Sequence, residues 1–201
     1  NQVPPLGGEG EGGVVGGSDS HVKKNFREIN VRGTKRPHLT SPGSGGRFLT
    51  LRMEHGAGLP REYPEYFDKI LLDAPCSAEA RFVAGDIKSY GYWSERKIKE
   101  MAYKQRQILL SAWGALKPGG TLVYSTCTFA PEENEVQASR LLERNEDAEM
   151  AEVRIAGLQT VPALKTWKEK TFHTDITKAV RIFPTGEIEG FFVAKIRKAF
   201  K

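Results

Sequence analysis

A chain of 201 residues with 39% hydrophobic side chains is long enough for one domain with a substantial core. Its 30 Lys and Arg against 25 Asp and Glu leave a net charge of +5, a modest basic bias that suits a polyanionic partner without requiring one. Two cysteines exclude a disulfide framework and point to a reducing, cytoplasmic setting, and no apolar run approaches the roughly 20 residues that span a bilayer.

Residues 1–46 are rich in glycine. Gly7-Gly8-Glu9-Gly10-Glu11-Gly12-Gly13 and Ser41-Pro42-Gly43-Ser44-Gly45-Gly46 read as flexible linker. A phosphate-cradling loop would need an apolar strand before it, and the first run has none. The chain starts at Asn1 and opens with no basic, apolar and small-residue leader, so a fragment or processed product without a secretion signal is expected. Val14-Val15 is a candidate short strand. Ser18 or Asp19 can cap a helix from His21 to Ile29 whose Lys23, Lys24 and Arg27 face solvent. An acid just after a second strand is where dinucleotide-type folds bind ribose hydroxyls, which makes Asp19 a candidate cofactor contact.

From Arg47 the pattern sharpens, and residues 47–201 read as one folded domain. Arg47 to Arg52 forms a candidate strand and Gly56-Ala57-Gly58-Leu59-Pro60 a loop. Phe67 to Leu72 is the first strong strand, and its Ile70-Leu71-Leu72 run suits a strand covered on both faces, as in a parallel sheet. It runs into Asp73-Ala74-Pro75-Cys76-Ser77. Residues 77–94 form a polar loop carrying Arg81, Lys88, Tyr90, Tyr92 and Trp93. Ser94 caps a helix over 95–116, where Ile98, Met101, Ala102, Gln105, Ile108, Leu109, Ala112 and Leu116 recur at helical spacing. Lys117-Pro118-Gly119-Gly120 stops that helix. A strand then runs to Cys127, and Pro131-Glu132-Glu133-Asn134-Glu135 opens a helix to about Arg144, with its acids at the positive end of the dipole. Two more strands are predicted, near Ala179 to Phe183 and near Gly190 to Ile196. Strand and helix alternate over 67–144, which argues for a parallel α/β sheet.

Both cysteines fall at the ends of predicted strands, where ligands sit in open α/β sheets. Buried structural cysteines are the alternative. Each is flanked here by Pro, Ser or Thr rather than by core residues, which favours a functional pair. The four His and two Cys lack ligand spacing, so no metal site is expected.

Leu71-Leu72-Asp73-Ala74-Pro75-Cys76-Ser77, Lys117-Pro118-Gly119-Gly120-Thr121-Leu122-Val123-Tyr124-Ser125-Thr126-Cys127-Thr128 and Pro131-Glu132-Glu133-Asn134-Glu135 resemble the RNA (cytosine-5) methyltransferases of the NOL1/NOP2/Sun family. Gly190-Phe191-Phe192-Val193-Ala194-Lys195-Ile196-Arg197-Lys198 is similar to the last strand of that family. The resemblance covers roughly 67–198. It implies a Rossmann-like, S-adenosylmethionine (SAM)-dependent α/β fold with a mostly parallel central sheet, residues 47–201 being the catalytic domain. It further implies Cys127 as nucleophile, Cys76 as the thiol that assists release, Asp73 between cofactor and base, and Pro75 beside the cofactor. The implied partner is rRNA or tRNA, and a monomer is expected.

Such chemistry explains the use of two thiols. C5 of cytosine is a poor nucleophile, and a thiolate added to C6 makes C5 able to accept a methyl group, dividing one hard step into two. A protonated Asp73 near N3 would neutralise charge there, and Cys76 would help elimination after transfer. The target base must leave its stack. Arg81, Lys88, Tyr90, Tyr92 and Trp93 are candidates to stack on RNA or hold its phosphates; alternatively, Tyr92 and Trp93 cover the core face of the following helix.

The family's glycine loop of the type Ala-Pro-Gly-Gly-Lys-Thr, which holds the methionine end of SAM, is not found. Pro42-Gly43-Ser44-Gly45-Gly46 lies too close to the Phe67 strand, and His55-Gly56-Ala57 carries Gly56 where the family has an acid. The N-terminal part is therefore expected to be incomplete or atypical, its loop upstream or missing. The alternative function is an inactive methyltransferase-like RNA-binding or assembly scaffold. A methyltransferase for another substrate would need neither thiol, and a DNA-type enzyme would move the nucleophile to Cys76.

Overall fold

The computed structural model describes residues 56–200. The expectations for both glycine runs, Val14-Val15, the helix over 21–29, Asp19 and the strand over 47–52 lie outside the described residues.

A short helix α1 (Leu59–Glu62) precedes strand β1 (Phe67–Asp73), and a second, α2 (Ile87–Tyr90), precedes the long helix α3 (Glu95–Ala115). Strand β2 (Leu116–Thr126), helix α4 (Glu135–Arg144) and strand β3 (Ala148–Ala151) follow. Three two-residue strands come next, β4 (Val161–Pro162), β5 (Thr166–Trp167) and β6 (Lys170–Thr171), then β7 (Val180–Ile182) and β8 (Phe191–Lys198). The main sheet runs β1-β2-β8-β7-β4, with β3 also on β8, while β5 and β6 form a separate hairpin.

β1 and β2 are parallel, with Lys69 opposite Thr121 and Asp73 opposite Ser125. β8 runs antiparallel to β2, β3 and β7, and β7 antiparallel to β4. Among the described residues the sheet is therefore mixed rather than mostly parallel. Helix α3 joins the parallel pair β1 and β2, and α4 carries the chain from β2 to β3 across β8; the connection from β7 to β8 is hairpin-sized, and such a link joins antiparallel strands.

Helix α3 forms as its periodicity predicts. Ser94 Oγ caps it by accepting from Lys97 N at 3.2 Å, and Met101, Gln105, Leu109 and Ala112 line its buried face. It ends at Ala115 and passes straight into β2. Lys117–Gly120 thus sits inside the strand as a bulge, since Phe67 pairs with Leu116 and Lys69 already with Thr121. Gly119 adopts φ +80° there, a backbone conformation that side chains disfavour, with the exposed Phe200 ring lying against it.

The core lies between α3, α4 and the centre of the sheet. β2 alternates, burying Leu122, Tyr124 and Thr126, and β8 buries Phe192, Ala194 and Ile196 opposite them. The Tyr124 and Phe192 rings meet edge to face at 6.3 Å. β1 departs from the expectation of cover on both faces. Ile70 and Leu72 pack on the core, but Leu71, on the opposite face, is 73% exposed. Among the described residues β1 pairs with β2 alone.

α4 also starts later than predicted. Pro131–Asn134 forms a turn in which Glu133 N donates to Ala130 O at 3.0 Å. Glu133, Asn134 and Glu135 are 0% exposed, so these residues do not simply front a helix dipole in solvent. They hold the site together instead.

Candidate active site

Two parallel neighbouring strands end at the same edge of a sheet. Asp73 closes β1 and Thr126 closes β2, and Ala74 N still donates to Ser125 O at 3.0 Å, so the two chains leave the sheet side by side. Cys76 and Cys127 lie just beyond. Their sulfurs are 3.1 Å apart, both cysteines are free thiols, and both are half-buried.

The turns that carry them are held by polar contacts. Ser77 Oγ and Thr128 Oγ1 are hydrogen-bonded at 2.8 Å, and Ala80 N donates to Cys127 O at 3.2 Å. Glu133 Oε2 accepts from Ser77 N at 3.0 Å and from Gln105 Nε2 at 2.7 Å, and Gln105 Nε2 also donates to Pro75 O at 2.9 Å. One carboxylate and one amide, the latter from the middle of α3, thus bracket both sides of Cys76. Asn134 does the same for Cys127: it accepts from Thr126 Oγ1 at 2.5 Å and donates to Thr128 O at 2.9 Å. Tyr124 Oη fixes the turn itself by donating to Glu133 O at 2.6 Å. Ala78 sits at φ +58°, the left-handed region that non-glycine residues avoid, so the turn after Cys76 stores strain of about 1 kcal/mol.

The electrostatics separate the two thiols. The hydrogen bond from Cys76 favours the Cys127 thiolate; burial opposes this, and the Arg81 guanidinium adds to it, leaving the Cys127 pKa lowered to about 7. The same hydrogen bond, with burial, raises that of Cys76 far above the ordinary thiol value. The pair therefore loses one proton near neutrality, and Cys76 keeps the other. Arg81 is anchored beside them by a 3.0 Å ion pair with Glu189, just before β8. Gly190 follows, and a Cβ there would stand 2.5 Å from the Phe129 ring, 3.0 Å from Ile182 O and 3.1 Å from the Ala80 methyl. Glycine is required by this close approach. Burial also raises the Glu133 pKa. Its second oxygen and the Gln105 oxygen are both buried without a hydrogen-bond partner.

Beside the Cys127 turn lies a groove of ≈ 400 Å³ whose lining includes Glu79, Trp93, Phe129, Glu132, Trp167 and Lys168. Glu79 receives the Trp93 indole N–H at 2.9 Å and Phe129 N at 3.1 Å; Glu132 receives the Trp167 N–H at 3.1 Å. The indole edges are fixed while the rings stay 39% and 38% exposed.

A profile described as 16S rRNA methyltransferase RsmB/F matches residues 51–197. The chain belongs to the RsmB/F methyltransferase family. It is 38% identical over 156 residues to the tRNA (cytosine(49)-C(5))-methyltransferase of Pyrococcus abyssi, covering 77% of this chain and 49% of that protein. It is 41% identical over 194 residues to the ribosomal RNA small subunit methyltransferase F of Pectobacterium atrosepticum, covering 94% of this chain and 35% of that one. Among solved structures it resembles NSun6 from Pyrococcus horikoshii with SFG, at TM-score 0.58 and 31% identity over 75% of this chain and 34% of that one. A methyltransferase homolog from the same organism gives TM-score 0.57 and 35% identity, covering 71% of this chain and 42% of that one. The chain thus spans about half or less of the length of the relatives it matches. The resemblance to NOL1/NOP2/Sun proteins and the Rossmann-like methyltransferase fold are borne out.

Within this RsmB/F domain, the structure brings Asp73, Pro75, Cys76 and Cys127 to one edge. Asp73 is exposed and accepts from Ser125 Oγ at 3.3 Å; the Pro75 carbonyl is taken by Gln105. Arg81 reaches the thiols through its charge. Lys88 is exposed on α2 and Tyr92 is exposed beyond it, neither tied to the thiols. Trp93 packs edge-on against Phe82 at 6.5 Å. Sequence reasoning missed Gln105, Glu133, Asn134, Glu189 and Trp167. Gln105, a polar side chain on an apolar helical stripe, was the readable signal.

Proposed function

We propose that this chain is the cysteine-bearing part of a SAM-dependent RNA (cytosine-5) methyltransferase acting on rRNA or tRNA through a Cys127–C6 adduct. The observation that carries this reading is the 3.1 Å approach of two free thiols at the shared end of two parallel strands. Amine or carboxylate methylation needs no such pair.

Cys127 is the thiol inclined to ionise, and as a thiolate it adds to C6 of an unstacked cytosine. Asp73 would meet the base near N3 and the cofactor; its exposure at the strand end, where it accepts from Ser125 Oγ, supports that role. It would hold SAM together with Pro75; SAM, when bound, supplies the electrophilic methyl group. During addition Cys76 stays protonated and donates to Cys127. Once the Cys127 charge is consumed in a carbon–sulfur bond, the main cause raising the Cys76 pKa is gone. Cys76 can then release its own proton to solvent, and the thiolate so formed takes the C5 proton as the Cys127 carbon–sulfur bond breaks and Cys127 leaves as thiolate. Trp93 and Trp167, rigid and half-open beside the Cys127 turn, are suited to stack bases flanking the target.

SAM binding by titration calorimetry and adduct formation on RNA test the reading. Cys127→Ala is expected to abolish turnover and adduct, and Cys76→Ala to leave protein covalently trapped on RNA. Normal turnover by Cys76→Ala with no trapped complex would overturn the division of roles.

A further inference from the structure

The same pair of thiols has a second chemistry open to it. A disulfide needs its sulfurs about 2.05 Å apart. The sulfurs stand at 3.1 Å, so roughly 1 Å of further approach suffices, within reach of side-chain rotation. The two turns cannot easily drift apart, because Ser77 is bonded to Thr128 at 2.8 Å and Ala80 N to Cys127 O at 3.2 Å. Neither thiol is sealed from solvent.

We propose that Cys76 and Cys127 form an oxidation site at which hydroperoxides close an intramolecular disulfide and reversibly cap the nucleophile. In the first step the Cys127 thiolate attacks one peroxide oxygen. The O–O bond breaks, the sulfur becomes a sulfenic acid, and the departing hydroxide takes a proton to leave as water. In the second, the Cys76 sulfur attacks the Cys127 sulfur, the S–O bond breaks, and the hydroxyl leaves with the Cys76 proton as a second water. Two thiols and one hydrogen peroxide thus give one disulfide and two waters; sulfur is oxidised and peroxide oxygen reduced. A resolving thiol already in contact makes the second step fast relative to further oxidation of the sulfenic acid. A dithiol reductant reverses the product. That the disulfide silences the enzyme rests on the methyltransferase reading; its formation does not.

The experiment needs neither RNA nor SAM. The reduced chain is treated with hydrogen peroxide near neutral pH and analysed by intact mass and by peptide mapping without reduction. The expected product is monomeric, lighter by about 2 Da, holds the Cys76 and Cys127 peptides in one cross-linked species, and regains both thiols on reduction. Cys76→Ser is expected to gain oxygen atoms at Cys127 that reductant does not remove, with tryptophan fluorescence showing that it is folded. Oxygenated Cys127 in the parent chain without loss of mass, or a disulfide-linked dimer as the main product, would overturn the proposal. Loss of RNA methylation under peroxide that dithiol restores would extend it to regulation.

Discussion

Replacing Arg181 with Met tests whether a buried ion pair supports the segment after Cys127. Arg181 on β7 donates to both oxygens of Glu135, at 2.7 and 2.6 Å, and to Phe129 O at 3.0 Å. The side chains are 8% and 0% exposed. Removing one partner of such a pair leaves a buried charge without compensation, which costs about 3–5 kcal/mol. The lost bond to Phe129 O is not added on top, because the same reorganisation includes it. Against a typical domain stability of about 5–15 kcal/mol, this is a third or more of the total. With a urea m-value near 2 kcal/mol/M the midpoint should fall by about 2 M, read by tryptophan fluorescence. The pair Arg154–Glu152, 87% and 63% exposed, serves as control, and its loss should leave the midpoint where it is. Glu135→Gln combined with Arg181→Met removes the charge yet keeps an oxygen for Leu164 N, which donates to Glu135 at 3.0 Å, so the double variant should regain more than half of the loss. A loss under about 1 kcal/mol for Arg181→Met, or a double variant no better than the single, would refute the reasoning.

Gln105→Leu removes the donor shared by Pro75 O and Glu133 and is expected to cost about 2–3 kcal/mol, with adduct release slowed more than adduct formation; equal slowing of both would reduce the bracket to a packing role. Alkylation of Cys127 by iodoacetamide should rise with pH around a midpoint of about 7, well ahead of Cys76, and replacing Arg81 with Gln should move that midpoint upward. Because the folded-state value is depressed, the matching contribution to stability is present above the unfolded thiol pKa and lost as pH falls through the folded one. Gly190→Ala must displace the Phe129 ring and is expected to lower stability by about 1–3 kcal/mol, checked by thermal melting.

The sequence made legible those parts of the fold whose residues obey one simple rule. β1, α3 and β8 lie within two residues of their predicted bounds because apolar spacing and a Ser cap act locally. The cysteines were legible because an apolar strand ending in Pro, Ser or Thr is unusual in a core. Lys117–Gly120 was readable as a stop for α3 but not as a bulge, since register depends on the partner strand. The mixed sheet was hidden for the same reason: strand direction is decided by connections, and the resemblance weighted the parallel half. Leu71 misled because three consecutive apolar residues look the same whether or not a second layer covers them. Glu133 to Glu135 misled most. Acids after a proline fit a helix start, and only tertiary contacts reveal that they point inward.

Those buried acids help the site hold its shape. Where β1 leaves the sheet, Ser77 N loses its strand partner and would be buried and unpaired without Glu133; Glu135 likewise takes Leu164 N, which follows β4. A carboxylate can accept several donors at once, which a leucine in the same space cannot. The arrangement gives up some stability, since apolar replacements of buried ion pairs are often neutral or favourable. What it provides is position: Glu133 and Gln105 fix Pro75 and Ser77, Asn134 fixes Thr126 and Thr128, and each cysteine lies between two fixed neighbours. The separation of the sulfurs is thus set by directional bonds rather than by packing, and both proposed chemistries of the pair depend on that separation staying within about 1 Å of its value.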